Sequence, residues 1–348
     1  MRKNSSRLET ICLLLYSGGL DSIIAYKILE RQGLTVKALR FISPFFGHEF
    51  KNREDEARLE ALEKYGIDLE IIDVSRDYLE ILRSPRYGYG RYLNPCIDCK
   101  IFMVKQAIAR LDSLGATFIA TGEVVGQRPF SQRRDTINLI EKEAGAKGLI
   151  LRPLSALNLP PTPMEKAGLV DRSRLLGISG RSRKPQIALA EEFGITDYPQ
   201  PGGGCVLTDP ILSKSIKRFI EIQPSFGPDD VFLAIIGRRF LFPDGSWLIL
   251  GRNDNENKRI MSLLKKGDIC LCTAEGTGPL GLWRKMIRRD DDMAPNYERW
   301  YERHKTEVEN IFSRYAKRGR GVLFIEISRD KALDLDRLSN NERKSFLC

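Results

Sequence analysis

The chain has 348 residues, 42% of them hydrophobic and 29% charged, and carries a formal net charge of +10 at pH 7. This is the composition of a globular protein with room for two or three domains, and no apolar run is long enough to span a membrane. The basic first six residues lead into a strand with no cleavage site, so a cytoplasmic protein with no membrane partner is expected, and the positive charge favours a polyanionic one.

The first predicted element is a buried strand over residues 11–16. It breaks into Ser17, Gly18, Gly19, Leu20, Asp21 and Ser22, which open a helix over 20–32. A glycine-bearing turn at a helix start leaves backbone N–H groups free to hold a pyrophosphate. Gly18 and Gly19 let phosphates approach the chain closely. Ser17 and Ser22 add hydroxyl donors, and Asp21 is an acceptor expected to bring Mg²⁺. Further strands are predicted at 34–42, 68–74, 116–121 and 148–151, with helices at 51–65, 100–114 and 131–143. This alternation predicts an α/β fold, a Rossmann-like doubly wound parallel sheet. Ligands of such sheets collect at the carboxyl ends of the strands. The turn at 17–22, Phe41 after the second strand and Thr121-Gly122-Glu123 after the fourth all fall there.

The composition changes near residue 152. A proline-rich connector, a basic stretch to residue 184, a helix at about 185–193 and a Pro/Gly segment at 199–204 follow. From about 225 the pattern turns β-rich, with strands at 231–236, 247–250 and 269–273. A charged helix at 295–317 and a last strand at 322–327 close the chain. The expected division is a nucleotide domain over 1–155, a basic connector over 156–222 and a smaller α+β domain over 223–348. Arg128, Arg133 and Arg134 follow the crevice, and Arg181 and Arg183 lie in the connector. They are expected to hold RNA phosphates, with a solvated or ion-paired face as the alternative.

Seven cysteines in a reducing compartment argue against structural disulfides. Cys12, Cys270 and Cys272 read as small buried hydrophobes. Cys96 and Cys99 form Cys-Ile-Asp-Cys at a helix start, where the dipole should lower thiol pKa. Cys205 follows three glycines. Three thiolates with a fourth position open suit a 4Fe–4S cluster. Zinc would need a nitrogen from His48 or His304, and a Cys96–Cys99 redox disulfide is a third option; all three stay open on spacing alone.

The string at 17–22 resembles the signature of the PP-loop ATP pyrophosphatases, which adenylate a substrate oxygen and release pyrophosphate. Residues 94–123 resemble the tRNA 2-thiouridine synthetases, and residues 121–132 resemble the tRNA 4-thiouridine synthetases, with one extra residue between the two glutamines. These resemblances imply a catalytic cysteine at Cys99 with Cys205 as its partner. They also imply ATP contacts at Ser17, Gly18, Gly19, Asp21, Ser22, Lys100, Gly122 and Gln132, with the Phe41 backbone near the adenine. The three-cysteine pattern resembles the iron–sulfur branch of tRNA thiolation enzymes, which implies a cluster on Cys96, Cys99 and Cys205. Residues 249–257 resemble the NFACT-R module, an RNA-binding domain. The implied activity is an ATP-dependent tRNA sulfurtransferase, supplied by sulfide or by a persulfide-carrying protein. Two alternatives are a PP-loop enzyme adenylating a small molecule and a non-catalytic RNA- or ribosome-associated protein. No rhodanese-like or THUMP region is recognisable, so the resemblance does not fix which uridine is modified.

Overall fold

A computed structural model describes residues 10–199, 205–222, 226–285 and 297–327. The chain divides into two compact units, Met1–Ser213 and Lys214–Cys348. Among the described residues no helix is long and apolar enough to cross a membrane.

In chain order the first unit holds β1 (Ile11–Leu15), α1 (Leu20–Arg31), β2 (Thr35–Ile42), α2 (Glu54–Tyr65), β3 (Asp68–Asp73), α3 (Ser75–Arg83), α4 (Cys96–Ile108), β4 (Phe118–Thr121), α5 (Arg134–Ala144), β5 (Ile150–Leu151), α6 (Pro163–Lys166) and α7 (Lys184–Glu192). The strands form one parallel sheet in the order β3-β2-β1-β4-β5. β1 is apolar throughout because both of its faces are covered, as in doubly wound sheets. Cys12 and Leu14 point into one core with Ile24 of α1, and Leu13 points into the other with Val104 of α4 and Ile140 of α5. The expected α/β doubly wound sheet is therefore what forms. Its strand order reverses between β1 and β4, and β2 and β4 are both paired to β1 as far as Leu15. That reversal is the point where such sheets bind ligands.

The second unit takes up most of α8 (Pro210–Ile222), then α9 (Pro228–Leu233), β6 (Arg238–Leu241), β7 (Trp247–Leu250), α10 (Asp254–Ser262), β8 (Ile269–Thr277), β9 (Gly281–Arg284), α11 (Tyr297–Tyr315) and β10 (Arg318–Glu326). Its strands make an antiparallel sheet in the order β10-β8-β9-β7-β6. Leu248, Leu271 and Trp283 of the sheet pack with Trp300, Val308 and Phe312 of α11. The strand expected at 231–236 does not form: 231–233 end the helix α9, and 234–236 turn. Pro228 stands at its first position, the Asp230 carboxylate accepts from the Gly227 N–H at 3.1 Å, and Val231, Phe232 and Leu233 are all buried. Consecutive buried residues at the end of a helix make the same continuous apolar run as a buried strand, so periodicity could not separate them.

Candidate active site

α1 starts directly after Gly19, which is its N-cap in extended conformation. Gly18 has φ +78°, and a Cβ there would lie 2.7 Å from the Arg40 guanidinium. Gly19 N–H donates to Ser17 Oγ at 3.3 Å, Ser22 Oγ donates to the Gly19 carbonyl at 2.7 Å, and the two serine hydroxyls lie 3.3 Å apart. The turn is thus tied by its own hydroxyls and offers the positive end of a 12-residue helix to an anion.

Asp21 stands in the first turn. Its Oδ2 accepts from Gln127 Nε2 at 2.8 Å and from Arg183 at 3.2 Å. Gln127 in turn accepts from Gln186 Nε2 at 3.1 Å. Asp21 Oδ1 is buried without a partner, as is Gln132 Oε1. An orphaned carboxylate oxygen inside a phosphate loop is a donor suited to Mg²⁺. Gln127 and Gln186 carry no mark in the sequence beyond the doubled glutamine of 121–132, which hints at the first. Arg183, expected on RNA, is brought to Asp21.

Gly122 closes the crevice from the side of β4. A Cβ there would lie 2.5 Å from the Asp21 carbonyl oxygen and 2.7 Å from the Ser22 nitrogen, so only glycine lets β4 end against the start of α1. The next residue, Glu123, is buried between Lys100 Nζ at 2.9 Å and Arg152 Nε at 3.0 Å, and Arg152 also pairs with Glu141. Burial alone would raise the Glu123 pKa, but the Lys100 and Arg152 charges and their hydrogen bonds outweigh it and bring it down to about 2. This network fixes Lys100 beside the loop. Phe41 is buried at the end of β2. Arg40, one residue earlier, stacks on the Phe50 ring at 3.9 Å and lies 5.9 Å from the Tyr16 ring. Its side chain has no ion pair or hydrogen bond among the described residues, and burial lowers its pKa below the usual guanidinium value.

α4 begins at Cys96, and the Cys99 N–H makes its first turn by donating to the Pro95 carbonyl at 2.8 Å. Tyr78 of α3 is fully buried, and its hydroxyl makes no conventional hydrogen bond. After burial, the groups that act most on that hydroxyl are the Cys99, Cys205 and Cys96 thiols, which raise its pKa. Phe45 and Phe46 pack their rings on Tyr78 at 5.6 and 5.0 Å. The Val206 N–H donates to the Phe45 carbonyl at 3.3 Å, which holds the Cys205 segment at the end of β2. The structure therefore brings the three cysteines together around Tyr78, a residue nothing in the sequence marked. Each keeps partial exposure. Burial of the thiols pushes Cys99 up to about 11, Cys205 up to about 12 and Cys96 above its ordinary value, with Arg128 and Lys100 opposing at Cys96. The expected lowering at the helix start is thus outweighed by desolvation. Among the described residues no group of three His, Cys, Asp or Glu side chains is gathered tightly enough for a single metal ion.

The other arginines separate. Arg133 pairs with Asp135 at 3.2 Å, and Arg134 donates to the Asn158 carbonyl at 2.7 Å. Arg128 and Arg181 are exposed, and their side chains have no ion pair or hydrogen bond among the described residues.

A hydroxyl-tied turn at the switch point of a doubly wound sheet, with thiols on neighbouring elements, is the arrangement expected of a PP-loop-type fold. Comparisons narrow this. The family model described as ThiI, thiamine biosynthesis protein, matches residues 8–163. The tRNA-specific 2-thiouridylase MnmA of Pseudomonas putida (strain GB-1) is 28% identical over 228 residues, covering 62% of this chain and 57% of that protein. The enzyme of the same name from Nitratidesulfovibrio vulgaris (strain DP4) is 34% identical over 113 residues, 30% of this chain and 31% of that protein. At 57% in the longer of these two matches, the chain spans about half the length of the curated relatives it matches. Among solved structures, a 4-thiouridine synthetase–RNA complex with bound ATP is similar at TM-score 0.36 and 22% identity, covering 53% of this chain and 41% of that one. A tRNA thiolase, NcsA of Methanococcus maripaludis, with its 4Fe–4S cluster, is similar at TM-score 0.29 and 16% identity, covering 62% and 67%.

Proposed function

We propose that this chain is an ATP-dependent tRNA sulfurtransferase, which adenylates a uridine carbonyl oxygen and replaces it with sulfur. One observation carries the proposal: an unbroken line of contacts from the phosphate loop to the thiols. Gly122 abuts Asp21, Glu123 holds Lys100, Lys100 follows Cys99 in α4, and Cys99 faces Tyr78 and Cys205. Exchange of oxygen for sulfur needs an activating phosphate site and a sulfur site side by side. The ThiI match and the likeness to tRNA-specific 2-thiouridylases support tRNA as the substrate.

In this proposal the ATP phosphates lie on the free N–H groups of α1 and on Ser17 and Ser22. Asp21 Oδ1 holds Mg²⁺, which neutralises phosphate charge. Arg40 adds a fixed positive charge for the pyrophosphate end. Lys100, Gly122, Gln132 and the Phe41 backbone are the remaining nucleotide contacts. The uridine oxygen attacks the α-phosphorus; the bond to the β-phosphate breaks and its electron pair leaves on pyrophosphate. Sulfur at the cysteines then attacks the activated carbon, and AMP departs. Positioning and fixed charge carry these steps, and no side-chain base is needed. The charged groups that act most strongly on Tyr78 are Cys99, Cys205 and Cys96, and three thiolates are a donor set for a 4Fe–4S cluster on Cys96, Cys99 and Cys205. Such a cluster supplies an open iron for sulfide, and binding it would deprotonate thiols that burial keeps neutral. The same residues also serve a persulfide on Cys99: its outer sulfur bonds to the carbon as AMP leaves, Cys205 then attacks Cys99 Sγ to release the thiocarbonyl, and an external thiol reductant reduces the resulting Cys99–Cys205 disulfide. The C-terminal unit, with its NFACT-R-like segment, adds RNA affinity.

The test is mass spectrometry of tRNA nucleosides from cells with and without the gene. One thiouridine should disappear on deletion and return with the wild-type gene but not with Asp21→Ala. An unchanged set of thiouridines would overturn the proposal. Brisk ATP–pyrophosphate exchange without tRNA would favour a small-molecule substrate instead.

A further inference from the structure

Large aromatic side chains are rarely left in solvent by a domain that buries its other rings well, and clusters of them mark binding sites. Among the described residues of the first unit only Tyr89, Tyr92 and Phe130 are exposed aromatics, at 43%, 48% and 50%. The segment that carries the two tyrosines meets Phe130. A Cβ on Gly90, which lies between the two tyrosines, would sit 3.6 Å from the Phe130 ring. Tyr92 is held at φ +56°, a conformation that side-chain-bearing residues adopt at a cost. Arg91 lies over the Tyr92 ring at 5.3 Å, and neither Arg91 nor Arg128 has an ion pair among the described residues. The patch lies near the start of α4: Tyr92 is four residues before Cys96, and the Arg128 charge acts on the Cys96 thiol.

We propose that Tyr92, Phe130, Arg91 and Arg128 form a stacking platform for the unpaired RNA strand that carries the target base. The inference rests on the tRNA reading above and names the surface that reading lacks. Exposed rings accept bases of any identity on their faces, and free guanidinium groups beside them take the flanking phosphates. This pairing of rings with uncompensated positive charge favours RNA over an apolar protein partner. The location explains the exposure. A base presented to the phosphate loop and the thiols must leave its helical stack, and its neighbours need a surface to stack on in exchange.

The experiment measures binding of unmodified tRNA to the full-length protein over a range of salt concentrations, with ATP affinity as a check on the fold. Tyr92→Ala and Phe130→Ala should each weaken tRNA binding roughly 5- to 100-fold, leave its salt slope unchanged, and leave ATP affinity within about twofold. Tyr92→Phe should restore binding, because the ring and not the hydroxyl is used. Arg91→Gln and Arg128→Gln should each reduce the salt slope by about one. Wild-type tRNA affinity retained by both alanine variants overturns the platform while leaving the thiolation proposal standing. A wild-type protein that binds tRNA without salt dependence, or not at all, overturns both. Retained tRNA affinity with lost sulfur uptake from a persulfide-carrying protein would assign the patch to that protein and overturn the RNA assignment.

Discussion

Glu123 shows how a single buried charge organises the site. Its carboxylate is enclosed between Lys100 and Arg152, and its pKa is brought from 4.5 down to about 2. A folded-state value below the unfolded one contributes stability that is present above about pH 4.5 and lost as pH falls toward 2. Glu123→Gln leaves Arg152 buried with only Glu141, and should cost about 3 kcal/mol, read as a melting-temperature drop of roughly 6–12 °C. The acid limb of its unfolding profile should lose the segment between those two pH values. A variant that melts like the wild type at pH 7 would show that the network does not position Lys100. Arg40 predicts the opposite pattern. Its guanidinium stacks on aromatic rings and feels Glu49 and Glu60 only at a distance, with burial the larger effect, so Arg40→Met should leave the melting temperature of the ligand-free protein unchanged or raise it. Its affinity for pyrophosphate and ATP should fall roughly 10- to 100-fold, while AMP binding changes little. Calorimetric titration with the three ligands reads this directly, and equal losses for all three would remove Arg40 from the pyrophosphate end. Neither role was legible in the sequence. Both depend on contacts between segments distant in the chain, which no local motif encodes.

At the scale of elements, what could be read in advance was what short-range chemistry decides. The 17–22 turn was legible because its glycines and serines act on one another within six residues. The parallel sheet was legible because β1 is apolar at every position, as a strand covered on both faces must be. The helix α9 was not, since its apolar run carries no period. The assembly of Cys205 with Cys96 and Cys99 could only be inferred, because it depends on Tyr78 and on the Val206–Phe45 bond. Gly122 gives the sharpest test of how elements meet. A methyl group there would sit inside contact distance of the α1 backbone, which cannot swing aside as a side chain can. Gly122→Ala should therefore cost about 1–3 kcal/mol and lower ATP affinity at least tenfold by pushing β4 off the loop. Retention of wild-type ATP affinity would mean that the two ends move apart without consequence for the site.

For the whole molecule, net charge overstates what is available to a polyanion. In the second unit Arg284 is buried on Asp268 at 2.6 Å and on Asp230, Lys265 pairs with Asp230 at 3.0 Å, and Arg239 donates to the carbonyls of Ala234 and Ile235. These hold the unit together. Arg318 and Arg320 on β10 remain exposed, without ion pairs among the described residues. The contribution of this unit is best measured by removing it, and the place of the cut matters. A break at 222, the domain limit suggested by composition, would keep α8 but strip Phe219 of the Trp247 ring it stacks on at 4.7 Å. A break after Ser213 leaves that pair out and retains the Ser213 Oγ bond to the Leu207 carbonyl at 2.7 Å, which belongs to the first unit. The 1–213 fragment should bind ATP within about twofold of the full chain, because every residue proposed to touch the nucleotide lies in it. Its tRNA affinity should fall, and the slope of log affinity against log salt should flatten by about one for each phosphate that the second unit had neutralised. If the fragment keeps the full slope, the charges that meet RNA all lie in the first unit, around Arg91, Arg128 and Arg181, and the second unit serves some other purpose.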